Sequence, residues 1–173
     1  MAAKETWQPA AADVASIDAI VAALYDAVSF KPGASPDWKR FEALFHPDGR
    51  LVPPRTPGVE VEDRGEAADT ERLLPALDVV EFAENSSRFI EESGIRARGF
   101  HEREVGRRVE RFGAVAHVMS AYESRFADGD ADPIARGVNT IQLLHDRGRW
   151  WILGVVWATE DEDHPIPEDY LTP

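Results

Sequence analysis

The strongest hydrophobic pattern in the chain runs from Ile134 to Thr159. Ile134, Val138, Ile141, Leu143 and Leu144 mark a first β-rich run, Asp146-Arg147-Gly148 interrupts it, and Arg149-Trp150-Trp151-Ile152-Leu153-Gly154-Val155-Val156-Trp157 forms a second. Two such runs around a short Asp/Gly connection predict a long antiparallel hairpin. The second run is apolar on both faces, with Trp150, Ile152 and Val156 alternating against Trp151, Leu153, Val155 and Trp157. One face is therefore expected to meet the protein's own helices, and the other a second layer or a second subunit.

Upstream, the period changes from two to three and four. Ile17, Ile20, Val21, Leu24, Tyr25 and Val28 make one apolar stripe, with Asp13 or Ser16 as the cap and Lys31-Pro32-Gly33 as the stop. Ser35-Pro36-Asp37 starts a short second helix that buries Trp38, Phe41, Leu44 and Phe45. His46-Pro47-Asp48-Gly49 reads as a turn before a short strand, Arg50-Leu51-Val52. Residues 55 to 74 read as a charged surface excursion. Pro75 opens a third helix carrying Val79, Phe82, Ala83, Ser86, Phe89 and Ile90, which Ser93-Gly94 ends. From Gly99 to Arg111 no helical stripe holds, and Ala114 to Tyr122 reads as a strand after a turn at Phe112-Gly113. Three helical segments followed by at least four strands predict an α+β fold, the helices packed on one face of a curved antiparallel sheet. Residues 1–12 form a loose arm, 13–160 the domain, and 161–173 an acidic, proline-containing tail lying over the surface or a neighbour.

Composition narrows the function classes. The 173 residues suffice for one core, and 43% hydrophobic with 29% charged residues is ordinary for a globular chain. There is no cysteine, so no disulfide, thiolate nucleophile or cysteine metal site can form. A formal charge of −13, from 32 acidic against 19 basic residues, opposes nucleic acid and anionic membrane as partners. No apolar run reaches the roughly 18 residues of a membrane span and no signal-like start is present, which makes the cytoplasm the expected compartment. Neither a phosphate-cradling glycine loop nor a nucleophile elbow occurs.

A long first helix with Tyr25, a short second helix ending in Phe45-His46-Pro47-Asp48, a third helix and a meander closing on Gly148-Arg149-Trp150-Trp151-Ile152 resembles the nuclear-transport-factor-two-like superfamily, from about Asp13 to Glu160. That superfamily includes ketosteroid isomerase, scytalone dehydratase, limonene epoxide hydrolase and polyketide-cyclase-like proteins. The resemblance implies a cone whose sheet curls around the helices, with an apolar pocket open at one end and no cofactor. By analogy with ketosteroid isomerase, Tyr25 falls where an oxyanion-binding tyrosine stands, and Asn139 where a hydrogen-bonding aspartic acid stands. The position of the catalytic aspartate holds Pro53, which cannot take a proton and argues against steroid isomerisation.

Strand alternation extends this to a pocket of Tyr25, Val118, Ser120, Tyr122, Asn139, Ile141, Val155 and Trp157, with Gly137 and Leu153 on the same faces. A one-residue error would turn His117, Met119, Trp150 and Ile152 inward instead. His46 and Asp48 are candidates for proton transfer, although capping also explains His46. Tyr25 and Asn139 equally suit a packed core with satisfied hydrogen bonds. His101 and Glu102 would point to opposite faces of a strand, so they do not make a metal site, and Glu102 and Glu104 read as part of a charged, half-exposed strand. Three functions follow from these patterns. The first is a pocket for a small apolar molecule bearing a carbonyl or hydroxyl group, in a homodimer joined through the sheet. The second is a cofactor-free isomerase, dehydratase or cyclase, which requires a titratable group within reach of Asn139. The third is a dimeric protein-interaction module whose cone is filled by its own side chains.

Overall fold

The Ser16 side chain opens α1 (Ile17–Val28) by accepting from the Ala19 amide at 3.0 Å, satisfying a donor that a helix start leaves without a partner. Asp13, the other cap candidate, instead takes the Arg40 guanidinium at 2.8 and 3.0 Å and ties the turn before α1 to α2 (Trp38–Leu44). The computed structural model describes residues 8–54, 73–127 and 129–171. Asp37 caps α2, its carboxylate accepting from the Arg40 amide at 3.0 Å. On α1 the stripe Ile20, Val21, Leu24 and Tyr25 is buried as its spacing predicts.

The expected turn at His46 to Gly49 is absorbed into β1 (Phe45–Val52), where it survives as a jump in pairing between Phe45 and Arg50. Residues 55–72, most of the expected excursion, lie outside the described residues. Leu77–Asp78 forms β2, and α3 (Val79–Ser93) starts four residues later than Pro75 because Asp78 is its cap, accepting from the Glu81 amide at 2.9 Å. Gly94, at φ 74°, ends α3 in the left-handed conformation that glycine tolerates best. A single turn, α4 (Ile95–Arg98), leads to β3 (His101–Phe112), β4 (Val115–Arg125), β5 (Ala135–Asp146) and β6 (Arg149–Thr159). The β5–β6 hairpin turns on Arg147 and Gly148, both at positive φ, as a tight two-residue connection requires.

Among the described residues six strands lie in the order β2-β1-β6-β5-β4-β3. Four form the expected antiparallel meander, but the sheet is mixed, because β1 pairs parallel with β6. That pairing needs a long crossover, which α3 and the meander supply. Helices α1 and α2 pack on the inner face and enclose the core. Among the described residues no helix is long and apolar enough to cross a membrane.

Two bulges set which side chains reach that inner face. On β6 the partner of Leu143 is Ile152 while that of Gln142 is Gly154, leaving Leu153 as an extra residue. Alternation therefore resets at Leu153: Trp150 and Ile152 are buried on the same side as Val155, 3%, 0% and 4% exposed. The expected unbroken alternation, with Leu153 in and Trp150 and Ile152 out, is corrected by this one residue. The doubly apolar appearance of the strand is largely two inward sets placed end to end. A second bulge, at Val105 of β3, lies between Glu104 opposite Tyr122 and Gly106 opposite Ala121.

After β6 the chain folds back on its own sheet. Ile166 is buried and its amide donates to Glu160 at 2.9 Å, and the turn Glu168–Tyr170 packs on β3 and β4. Gly106 makes room for it, since a Cβ there would stand 2.3 Å from the Tyr170 carbonyl oxygen.

Candidate functional site

The wide end of the cone holds a cavity of about 580 Å³. Leu24 and Val28 of α1, Trp38 and Phe41 of α2, and Phe82, Phe89 and Ile90 of α3 form its helical wall. Tyr122, Asn139, Val155 and Trp157 face it from the sheet, Leu51 and Pro53 from β1 and its exit, and Phe30 and Phe100 from the far edge. The apolar stripe of α3 is thus spent mainly on the cavity, and Phe89 is still 56% exposed. Among the described residues no lysine, arginine or histidine borders the space, and its single charged side chain is Glu102.

Glu102 reaches this position because the start of β3 is pinned to the end of α1. Phe30 and Phe100 exchange backbone hydrogen bonds at 2.7 and 2.9 Å, and the Glu102 amide donates to the Ser29 hydroxyl at 3.0 Å. Gly99, at φ 81° and with Pro32 2.9 Å from where a Cβ would sit, lets the chain make that approach. Glu102 pairs with Ser124 on β4, so both side chains point inward, and the Ser124 hydroxyl donates to the carboxylate at 3.2 Å. Burial pushes the Glu102 carboxyl up to about 7, against the smaller opposing pull of Ser124 and of the Asn139 amide, which faces it. A group of this kind can give or take a proton near neutral pH.

Behind Glu102 and Asn139 runs a chain of hydrogen bonds whose direction is determined. Glu104, ion-paired with Arg107, accepts from the Ser120 hydroxyl. Ser120 in turn accepts from the Tyr25 hydroxyl at 2.7 Å, and Tyr25 accepts from the Asn139 amide nitrogen at 3.0 Å. Arg107 continues to Asp18 on α1 at 2.8 Å. The Tyr25 proton consequently points away from the cavity. Burial raises its affinity for that proton further.

Four of the eight expected pocket residues line the cavity: Tyr122, Asn139, Val155 and Trp157. Tyr25, Val118, Ser120 and Ile141 share the inward face but are packed in the core, 4%, 0%, 0% and 0% exposed, because α1 fills the narrow end of the cone. The expected pairing of Tyr25 and Asn139 as two donors to one ligand oxygen is corrected accordingly, since they bond to each other. His46 and Asp48 lie off the cavity: the His46 ring meets Trp151 edge-on at 5.9 Å, and the Asp48 side chain is 87% exposed. His117 faces outward and pairs with Gln142 at 3.2 Å. His101 and Glu102 do point to opposite faces, and among the described residues no three His, Asp or Glu side chains are grouped to hold a metal.

Glu102 is the residue that the pattern did not disclose. Its neighbours His101 and Arg103, on the other face, are polar too, so periodicity carried no sign of which face was buried.

Tyr122 completes the polar edge. Its ring lies over Gly137, where a Cβ would come within 2.7 Å of its hydroxyl. Burial raises the Tyr122 phenol, the Thr159 side chain bonds to it, and Glu102 adds a repulsive push.

No protein-family model and no curated protein matches the chain. Solved structures do, at low identity. A protein of unknown function with a cystatin-like fold from Nostoc punctiforme aligns with TM-score 0.59 and 12% identity over 84% of this chain and 90% of its own. An NTF2-like protein with a cystatin-like fold from Novosphingobium aromaticivorans gives 0.52 and 12% over 73% and 71%. A second Nostoc punctiforme domain of unknown function with a cystatin-like fold gives 0.53 and 11% over 83% and 77%. With the helices, the curled sheet and the cavity at its open end, these likenesses identify the fold of the chain as the nuclear-transport-factor-two-like, cystatin-like cone.

Proposed function

We propose that this protein binds a small, mostly apolar molecule in the open end of its cone, with the ligand's polar group held at the Glu102–Asn139 edge. The observation that carries this reading is a cavity of about 580 Å³ whose mostly apolar wall carries, among the described residues, a single charged side chain, the half-buried Glu102. An open cavity also speaks against the alternative of a cone packed by its own side chains. Titration with an environment-sensitive naphthalene sulfonate dye, followed by displacement with apolar alcohols, tests it. Saturable binding that Trp157→Ala weakens supports the pocket, and wild-type protein that leaves the dye dark removes it.

A second reading, a cofactor-free isomerase, dehydratase or cyclase, is favoured by the position of Glu102. It is the titratable group within reach of Asn139 that such chemistry requires, and its proton affinity suits general acid–base work. Aryl ketones incubated in heavy water provide the test. Exchange beside the carbonyl that Glu102→Gln abolishes supports it, whereas exchange unchanged in that variant takes the role from Glu102.

Pairing of two copies is proposed through the part of the outer sheet face left open around Val156, which is 47% exposed. Sedimentation showing a monomer at micromolar concentration would remove it.

A further inference from the structure

We infer that the ligand's polar group is a protonated amine, so that the cavity selects hydrophobic ammonium compounds over alcohols, ketones and acids of the same shape. The inference rests on the small-molecule reading above and specifies the chemistry of its head group.

Three observations converge on it. The first is charge without a counter-charge. Glu102 is half-buried on the cavity wall, its partners are the neutral Ser124 and Asn139, and no basic side chain borders the cavity among the described residues. The other carboxylates of this region are already matched, Glu104 with Arg107 and Glu123 with Arg103 and Arg125. A carboxylate withdrawn from water gains most from a cation brought to it. A chain of formal charge −13 also draws cations toward its openings and repels anions.

The second is the polarity of the hydrogen-bond chain. The Arg107–Glu104 pair makes Ser120 a donor to Glu104, Tyr25 a donor to Ser120, and the Asn139 nitrogen a donor to Tyr25. With its nitrogen turned to Tyr25 and Glu102, Asn139 has its amide oxygen left to offer. No described group donates to that oxygen, yet among the described residues no fully buried side-chain oxygen lacks a partner, so it is open to the cavity. Two acceptors, an amide oxygen and a carboxylate, then meet the head group together. An ammonium carries up to three donors and no acceptor, whereas a ketone has only acceptors to present.

The third is the aromatic surround. Phe100 lies two residues before Glu102, Tyr122 is diagonal to it across β3 and β4, and Trp157 stands opposite Asn139. Aromatic side chains on the same cavity wall as a carboxylate offer π surface to a bound cation.

The test compares three probes on one frame, naphthylethylamine, naphthylethanol and naphthylacetate, by calorimetric titration of the full chain at about pH 8, where the amine is charged. The amine is expected to bind at least about tenfold more tightly than the alcohol, with the acid weakest. In Glu102→Gln the amine is expected to lose its advantage over the alcohol, the ratio of the two affinities falling to about one whatever the alcohol's own affinity does. An alcohol that binds wild type as well as the amine does, or an amine preference that survives in the variant, overturns the head-group inference and leaves the pocket standing. If none of the three binds wild type, the pocket reading fails and the inference with it.

Discussion

Replacing Glu102 by glutamine should make the protein more stable at alkaline pH and leave it nearly unchanged in mild acid. The folded state raises the proton affinity of this carboxyl from an ordinary 4.5 to about 7, chiefly by burial. Folded protein therefore holds the proton more tightly than unfolded protein does. As pH climbs from about 4.5 to about 7 the folded state is progressively penalised, and above about 7 it bears the whole cost. Each tenfold change in proton affinity is worth about 1.4 kcal/mol, so the full penalty is about 3 kcal/mol. Glutamine escapes it, but its single carbonyl must serve two donors, the Ser124 hydroxyl and the Asn139 amide, which returns about 1 kcal/mol. The net gain expected at about pH 9 is about 2 kcal/mol, shrinking toward zero near pH 5. Urea unfolding followed by tryptophan fluorescence, run on both proteins at matched pH, isolates the effect because every other titrating group is common to the pair. A stability difference that stays flat within about 0.5 kcal/mol from pH 5 to pH 9 would refute the argument that this carboxyl is desolvated.

Other features make independent predictions. Ser120→Ala strands the buried Tyr25 hydroxyl and one Glu104 oxygen, and should cost about 1–3 kcal/mol in urea unfolding. An unchanged midpoint would show that the buried chain is not structural. Gly137→Ala places a Cβ 2.2 Å from the Ala158 carbonyl oxygen, which is backbone and cannot give way cheaply. A loss of about 3 kcal/mol and a displaced Tyr122 are expected, and a thermal midpoint within a degree of wild type would contradict them. Gly106→Val should detach the segment from Ile166 to Leu171 while leaving the cavity intact. Hydrogen exchange there should quicken while α1 stays protected, and equal protection of the segment in both proteins would count against the notch.

Much of this architecture was legible because it follows from local periodicity. The α1 stripe from Ile17 to Val28, the stop at Gly94 and the tight turn at Arg147-Gly148 are local solutions to local constraints. The inward set Tyr122, Asn139, Val155 and Trp157 was legible as well, since alternation holds within each unbroken stretch of strand. The parallel pairing of β1 with β6 was not, because it depends on a crossover and leaves no mark on either strand. Nor was the extra residue at Leu153, which differs from its neighbours in nothing but its lack of a partner. Glu102 escaped notice for a related reason: a strand polar on both faces gives no sign of which face is buried, and only the fixing of Phe100 against Phe30 decides it.

The bulge at Leu153 divides one strand into two territories. Before it, Trp150 and Ile152 belong to the core that holds the narrow end of the cone together, and after it, Val155 and Trp157 belong to the cavity wall. Changes of side-chain size in the second half alter what the cone can receive, while the first half goes on supporting the fold. A new binding preference can therefore be tried first at Trp157, which lines the cavity at the margin of the core, whereas Val155 serves core and cavity together, and this makes the end of β6 the natural place to redirect this protein toward another molecule.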